Sequence, residues 1–191
     1  TGRVTQDLTA LARHVTALDP NSDYLEEARA RLLKCVEYFD CAGEELPEFP
    51  YKFDTAVYPL SLHHIPESAM EKSLTQVSNR LTDEGKIIVV EPGSSGSFIE
   101  LEKTLGIGDG DETRAKQAAQ YAIQNLPGWE IKESNQFRSD IYFDSIWDLY
   151  ISIVPPEKAN DPDLFLCLLD KKIDSDLNFQ ADRNIYLLER T

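Results

Sequence analysis

Residues 1–32 have the sequence TGRVTQDLTALARHVTALDPNSDYLEEARARL, and the order of elements in this stretch decides the fold. Val4 and Leu8 begin a series of apolar residues at the spacing of one helix face, which predicts a helix directly after Gly2. The β-branched and apolar run HVTAL then predicts a buried strand that ends at Asp19. The following segment, PNSDYLEEARARLLK, begins with capping residues and carries acids early and bases late, which favours a second helix.

The same alternation continues to the middle of the chain. Short strands are predicted at 36–39, in TAVYPLSL (55–62) and in KIIVVEP (86–92). Between the last two, ESAMEKSLTQVSNRLTDEG places apolar residues on one helix face, and Gly85 is predicted to cap the end of that helix. Strands and helices that alternate with short links predict an α/β protein with a mostly parallel sheet and helices on both faces.

The second half of the chain has a different character. ETRAKQAAQYAIQNLPG predicts a helix, and WEIKESNQF and RNIYLLER predict two further strands. DSIWDLYISIVPP and DPDLFLCLLDKKID are rich in large apolar side chains and predict a small helical cap at 144–174, which fits either a cover over an apolar substrate or ordinary core packing. GIGDGD (106–111) is predicted to be a linker, because it lacks the Lys-Ser/Thr of a phosphate loop and the terminal Glu of a calcium loop.

Length, composition and charge limit the class of protein. The 191 residues, 41% of them hydrophobic, predict one domain with a packed core, since single cores extend to about 250 residues. A net charge of −15, spread along the chain, argues against nucleic acid and anionic membranes as partners. Three cysteines (Cys35, Cys41 and Cys167) without metal-ligand spacing, together with the lack of a leader or a long apolar run, predict a cytoplasmic protein.

Three predicted strand ends carry polar or sharply turning residues. They are Asp19, the PLSLHH segment and the Glu91-Pro92 pair. Ligands of open parallel sheets bind at the carboxyl ends of strands, so we expect these three ends to lie close together. Asp19 follows a glycine-led helix at the separation of the dinucleotide fingerprint, which predicts that its carboxylate binds both hydroxyls of a ribose. The alternative is that Asp19 is only a turn residue before Pro20.

His63 and His64 are the candidate catalytic residues. An imidazole titrates near neutral pH, so either ring is suited to removing a proton from a nucleophile. The alternative is a structural pair that caps backbone groups at a strand-to-helix turn. No third histidine or acid stands at metal-ligand spacing from them, and His14 lies before a buried strand, so no metal site is predicted.

Four stretches together resemble a known family. TGRVTQDLTALARHVTALDPNSDYLEEAR, AGEELP, FDTAVYPLSLHHI and LTDEGKIIVVEP are similar, in order and spacing, to the motifs of class I S-adenosylmethionine-dependent methyltransferases. The branch that they resemble acts on small molecules and includes the ubiquinone/menaquinone-type and trans-aconitate-type enzymes. The resemblance implies a Rossmann-like sheet with an antiparallel last strand, S-adenosylmethionine as cofactor and a small-molecule acceptor. It divides the single domain 1–191 into a cofactor-binding half, 1–92, and a substrate-side half, 93–191.

The resemblance also implies which residues bind the cofactor. Gly2 is the end of the glycine-rich loop beside the methionine part, Asp19 binds the ribose, and Pro20 and Asn21 lie beside the adenosine. The other implied contacts are with the adenine, from Ala42, Gly43 and Glu44, and with the methionine end and its methyl group, from Leu60 and Ser61.

The sequence departs from the family pattern in two places. Cys41 and Ala42 occupy the stretch in which the family often has an Asp, so the contact with the adenine amino group is altered. The family's first strand, which is central in its sheet, has no counterpart before Gly2. Without that strand, both neighbouring strands would have unpaired backbone groups in a buried layer. We therefore expect an upstream segment or another chain to supply it.

Two rival functions share parts of this pattern. A nicotinamide-dependent oxidoreductase also has a glycine loop and a ribose acid. A methyltransferase-like scaffold without activity would also lack conspicuous catalytic residues. For methyl transfer itself, the enzyme mainly aligns nucleophile, methyl and sulfur and excludes water, so no catalytic triad is expected.

Overall fold

The computed structural model describes residues 2–105, 113–154 and 177–191. Its N-terminal half contains α1 (Arg3–Thr9), β1 (Val15–Asp19), α2 (Ser22–Ala30), β2 (Val36–Asp40), β3 (Phe53–Pro59), α3 (Met70–Arg80) and β4 (Leu81–Pro92). Two single 3₁₀ turns, Leu62–His64 and Glu67–Ala69, lie between β3 and α3. The second half contains α4 (Ser97–Leu105), α5 (Thr113–Gln124), β5 (Trp129–Tyr142), α6 (Ile146–Ile153) and β6 (Asn178–Arg190).

The strands form a two-stranded sheet and a four-stranded sheet. β1 pairs with β2 in parallel, and the second sheet has the order β3-β4-β6-β5. β3 and β4 are parallel, whereas β6 runs antiparallel to both of its neighbours. Among the described strands, β6 is therefore the one that runs opposite to the other strands of its sheet. This arrangement confirms the α/β fold with a mostly parallel sheet and an antiparallel last strand.

Among the described strands, β1 and β3 are edge strands of different sheets, so a further strand can pair with both. Among the described residues, β1 has β2 as its one partner strand and β3 has β4. Phe49 bridges the sheets, since its ring lies 5.3 Å from that of Phe39 in β2 and 5.1 Å from that of Phe53 in β3. A strand between β1 and β3 would join the two sheets into one. The central strand is still a prediction, and its predicted position is between β1 and β3.

The main core lies between the four-stranded sheet and helices α3 and α5. Met70 and Leu74 are one turn apart on α3, and both are fully buried. Ile87 and Val89 alternate along β4, point to the same face of the sheet and belong to the same cluster. The other buried members of the cluster are Tyr58, Leu62, Leu81, Ala119, Ala122, Ile123, Leu126, Trp129 and Leu188.

The end of α3 differs from the sequence-based prediction. The helix ends at Arg80 instead of at Gly85, and β4 begins directly at Leu81. Leu81 is buried and pairs with Phe53, so tertiary packing extends the chain there although the helical pattern continues. A Cβ at Gly85 would lie 2.7 Å from the Cβ of Leu81, so this glycine permits a tight fold-back within the strand instead of capping the helix.

A second apolar cluster lies at the cap side of the molecule. It contains α6, whose existence as a helix was predicted, packed with parts of α4 and β6. Leu149 and Tyr150 are buried, whereas Trp147 is 59% exposed. The ring of Trp147 stacks on that of Tyr150, with 5.6 Å between the ring centroids. The remainder of the predicted cap, 155–174, and the 106–111 linker lie outside the described residues. Within the described residues, no helix is long and apolar enough to cross a membrane.

Leu74→Ala tests the contribution of the α3 core. We expect the free energy of unfolding to fall by about 2–5 kcal/mol, because the truncation leaves a cavity in a fully buried position. Urea unfolding followed by circular dichroism measures the change. Leu11→Ala is the control, since Leu11 is 87% exposed and should change stability by less than about 0.5 kcal/mol. Equal changes in the two variants would contradict this account of the core.

Candidate active site

Asp19 ends β1 and also forms the turn that leads into α2. Its Oδ1 accepts a hydrogen bond from the backbone N–H of Asn21 at 2.9 Å. Asn21 in turn caps α2, because its Oδ1 accepts from the N–H groups of Asp23 and Tyr24. Asp19 therefore does stabilise the turn before α2, but only one of its carboxylate oxygens takes part. Among the described residues, no hydrogen bond engages the other oxygen of Asp19, and Pro20 beside it is exposed.

Gly2 occupies a position that only glycine tolerates. Its φ of 75° lies in the left-handed region, and a Cβ there would be 2.9 Å from the Cβ of Ala28 on α2. Its carbonyl accepts the first hydrogen bond of α1, from the N–H of Gln6. The missing side chain thus lets the start of α1 lie directly against α2.

The Ala42–Glu44 loop is fastened to α3 by a buried serine. Ser73 Oγ donates to the carbonyl of Gly43 at 2.7 Å, and a Cβ on Gly43 would lie 2.9 Å from Ile65 Cδ1. The carbonyl of Ala42 accepts from the N–H of Glu45, which closes a turn. This loop begins two residues after Asp40, the register partner of Asp19, so the loop and the end of β1 are neighbours.

Tyr58 completes this buried hydrogen-bond chain. Since the Ser73 hydroxyl hydrogen is given to Gly43, the Tyr58 hydroxyl donates to Ser73 Oγ, at 2.8 Å. Burial raises the pKa of Tyr58, the hydrogen bond with Ser73 offsets part of this rise, and the charge of Glu44 adds to it. Tyr58 therefore stays a donor. Sequence reasoning missed Ser73, although a serine between Met70 and Leu74 on a buried helix face was a signal.

The end of β3 contains a strained residue. Leu60 has a φ of 59°, a left-handed conformation that is uncommon for a residue with a branched side chain. Its N–H donates to the carbonyl of Val90 at 2.8 Å, and the fully buried Leu62 anchors the next turn. The chain turns sharply here, and His63 of the following turn contacts Glu91 at the end of β4.

The two candidate histidines have different environments. His63 is 6% exposed, and its Nδ1 lies 2.8 Å from Oε2 of Glu91, which is 5% exposed. Among the described residues, the other oxygen of Glu91, Oε1, is buried and has no hydrogen-bond partner. His64 is exposed, and its ring centroid lies 4.1 Å from that of His63. Sequence reasoning placed Glu91 at this strand end but gave it no role.

A polar groove lies on the face of β5 and β6. Its volume is about 310 Å³, and its lining residues are Ser134, Asn135, Gln136, Asn184 and Tyr186. Asn184 is the direct cross-strand partner of Glu91, so the two side chains lie on the same face of the sheet. In the described part of the chain, no three His, Cys, Asp or Glu side chains are grouped closely enough for a metal ion.

The structure brings most of the predicted site residues into one connected region. Contacts of Ser73 join the 42–44 loop to β3, and contacts of Leu60 and His63 join the end of β3 to the end of β4. The predicted roles of these residues in binding or catalysis remain predictions.

Comparison with known proteins finds similarity in the first half of the chain. Residues 1–85 match the family described as "Methyltransferase domain". An uncharacterized methyltransferase of Bacillus licheniformis is 26% identical over 91 residues, which are 48% of this chain and 43% of the relative. The chain thus spans less than half the length of this curated relative.

Solved structures share the fold of the chain at low sequence identity. A candidate methyltransferase of Bacillus halodurans C-125 has a TM-score of 0.60 and 18% identity, over 98% of this chain and 87% of that one. The N-methyltransferase NodS of Bradyrhizobium japonicum WM9, in complex with S-adenosyl-L-homocysteine, has a TM-score of 0.51 and 11% identity, over 99% and 72% of the two chains. Residues 1–85 are therefore similar to the methyltransferase domain family, and the chain shares the fold of these solved methyltransferase structures.

Ser73→Ala tests the fastening of the 42–44 loop. The variant leaves the buried hydroxyl of Tyr58 and the carbonyl of Gly43 without their shared partner, so we expect a loss of about 1–3 kcal/mol in the free energy of unfolding. Ser78→Ala is the matched control, because the hydroxyl of Ser78 bonds to a carbonyl of the same helix. Urea unfolding of both variants checks this expectation, and a Ser73→Ala effect no larger than the control would disprove the bridging role.

Proposed function

We propose that the protein transfers a methyl group from S-adenosylmethionine to a small-molecule acceptor, as in the ubiquinone/menaquinone-type and trans-aconitate-type branch. The geometry of Asp19 is the observation that carries the proposal. One carboxylate oxygen fixes the turn after β1, and the other has no hydrogen bond within the described residues. A ribose hydroxyl is a donor that would satisfy it.

The other proposed cofactor contacts fit this assignment. The loop of Ala42, Gly43 and Glu44 lies next to the end of β1 and is held rigidly by Ser73, which suits a wall beside the adenine. Gly2, at the start of α1, would lie beside the methionine part, as the resemblance implies. When bound, S-adenosylmethionine supplies a methyl group that is activated by a positively charged sulfur.

The ends of β3 and β4 are the proposed place of methyl transfer. Leu60 and Ser61 would line the methionine end, since the strained turn at Leu60 directs this segment over the end of β4. His63, which is buried and held by a carboxylate, is the better candidate to remove a proton, and the exposed His64 would lie at the mouth of the site. We propose that the acceptor enters from the groove on β5 and β6.

Asp19→Ala tests the cofactor site by calorimetric titration. We expect the wild-type protein, in its full encoded length, to bind S-adenosylhomocysteine with micromolar affinity and NADH not at all. Hydrogen bonds to a charged group contribute about 1.5–3 kcal/mol each, so the variant should bind at least about 10-fold more weakly. Asp54→Ala is the control, because Asp54 is an exposed carboxylate at the opposite end of β3 and should leave binding unchanged.

Other outcomes of this titration favour the rival functions. Binding of NADH alone would support the nicotinamide-dependent oxidoreductase. A folded wild-type chain that binds neither ligand would support the inactive scaffold, and circular dichroism of the same sample establishes that it is folded. Equal affinity for S-adenosylhomocysteine in the wild type and in Asp19→Ala would support S-adenosylmethionine as the cofactor but contradict a role for Asp19 in binding it.

A further inference from the structure

We propose that Glu91 is a positioning residue that prepares His63 to take a proton from the methyl acceptor. The inference rests on the proposed methyl transfer and adds the class of acceptor. The nucleophilic atom of that acceptor is an oxygen or nitrogen that carries a hydrogen, as in an alcohol, a phenol or an amine.

The contact between Glu91 and His63 is direct and shielded from water. Nδ1 of His63 lies 2.8 Å from Oε2 of Glu91, and the side chains are 3% and 6% exposed. His63 lies in the 3₁₀ turn that follows β3, and Glu91 lies at the end of β4. The two strands are neighbours and pair in parallel in a fixed register. A contact at the surface would be weakened by solvent, whereas this contact is buried.

The contact determines which ring nitrogen of His63 is available. An ionised carboxylate only accepts hydrogen bonds, so Nδ1 must be the protonated nitrogen that faces Glu91. In the neutral ring, Nε2 then carries the lone pair and is the atom that takes up a proton. When it does, the resulting imidazolium lies against the carboxylate, and their attraction stabilises the charge.

The second oxygen of Glu91 argues against a role in packing alone. Oε1 is buried and has no hydrogen-bond partner among the described residues. A carboxylate that served only to hold two strands together would be expected to have both oxygens satisfied, since an unpaired buried acceptor is destabilising. The neighbouring positions on β4 that face the core, Ile87 and Val89, are apolar. Leucine at this position would avoid the destabilisation that the unpaired oxygen causes. The presence of glutamate therefore favours a functional role for Glu91.

The polar groove gives an acceptor a route to this pair. Asn184, which lines the groove, lies directly across from Glu91 on β6. Tyr186 also lines it, and burial, followed by the charge of Glu91, raises the pKa of the Tyr186 phenol. The charge of Glu91 therefore acts on a side chain of the groove, and a molecule bound beside Asn184 would have its nucleophile near Glu91.

The proposed step balances without a further reactant. The acceptor's O–H or N–H bond breaks as its proton passes to Nε2 of His63, and the lone pair that remains forms the new bond to the methyl carbon. The methyl–sulfur bond breaks with its electron pair going to sulfur, which becomes neutral. His63 ends as an imidazolium beside the Glu91 carboxylate and later returns the proton to solvent.

The ring nitrogens of His63 can be observed without any acceptor. The chain has three histidines, so His14→Gln and His64→Gln variants assign the long-range ¹H–¹⁵N correlations of His63 in the full chain. We expect a protonated Nδ1 and an Nε2 with a lone pair in the wild type at pH 8. Glu91→Leu should lose that preference. A wild-type ring with its proton on Nε2, or with the same tautomer in Glu91→Leu, would overturn the proposal.

Methyl transfer from labelled S-adenosylmethionine provides the second readout. The probes are a simple phenol and a primary amine, with a tertiary amine as the acceptor that has no proton to lose. For the proton-bearing probes, Glu91→Gln should lower kcat about 100-fold with little change in KM, which is typical of general base catalysis. Binding of S-adenosylhomocysteine should stay within about twofold of the wild type, since the cofactor residues are unchanged.

A matched carboxylate variant controls for loss of stability. Asp182→Asn replaces a buried acid of β6 that pairs with Arg138 instead of with a histidine, and it should leave kcat unchanged. An unchanged kcat in Glu91→Gln, or equal losses in both variants, would refute the positioning role. If the wild type fails to bind S-adenosylhomocysteine, the proposed function fails, whereas the tautomer of His63 still decides whether Glu91 positions the ring.

Discussion

The parallel pairing of β3 with β4 is the constraint on which the described site depends. Residues Thr55 to Pro59 pair in register with Lys86 to Val90, and α3 crosses back between the two strands. The crossing buries Met70 and Leu74 against the sheet, which fixes the strands along their length. Because the strands are parallel, both carboxyl ends lie at the same edge. Every contact between the PLSLHH segment and Glu91 follows from this arrangement.

Buried polar groups divide this region into a rigid part and a reactive part. Around Ser73, donors and acceptors match: Tyr58 donates to the serine hydroxyl, which donates to Gly43. Such a satisfied network holds a loop in one conformation. Around Glu91, the match is incomplete, because one carboxylate oxygen has no partner among the described residues. The strained Leu60 lies between the two parts, and its conformation is stabilised by the bond to Val90.

Strand β6 joins the first half of the chain to the second. It pairs with β4 at the proposed site and with β5 along its full length. The same strand carries Leu188 in the main core and Phe179 in the cluster around α6. The side chains of β6 therefore change from apolar to polar and back to apolar along its length, and the polar residues Asn184 and Tyr186 form the groove beside Glu91.

The sequence by itself determined the order and type of nearly all the described elements, because apolar spacing depends on local geometry. It also identified Asp19, the histidine pair and the strand ends as candidate site residues. It was wrong about the end of α3, where the buried Leu81 overrides a continuing helical pattern. Only the tertiary structure distinguished His63 from His64, found Glu91 as the partner of His63, and found Ser73 as the partner of Gly43. Those contacts join residues 28 and 30 positions apart, and such long-range proximity is set by strand register, which no local pattern encodes.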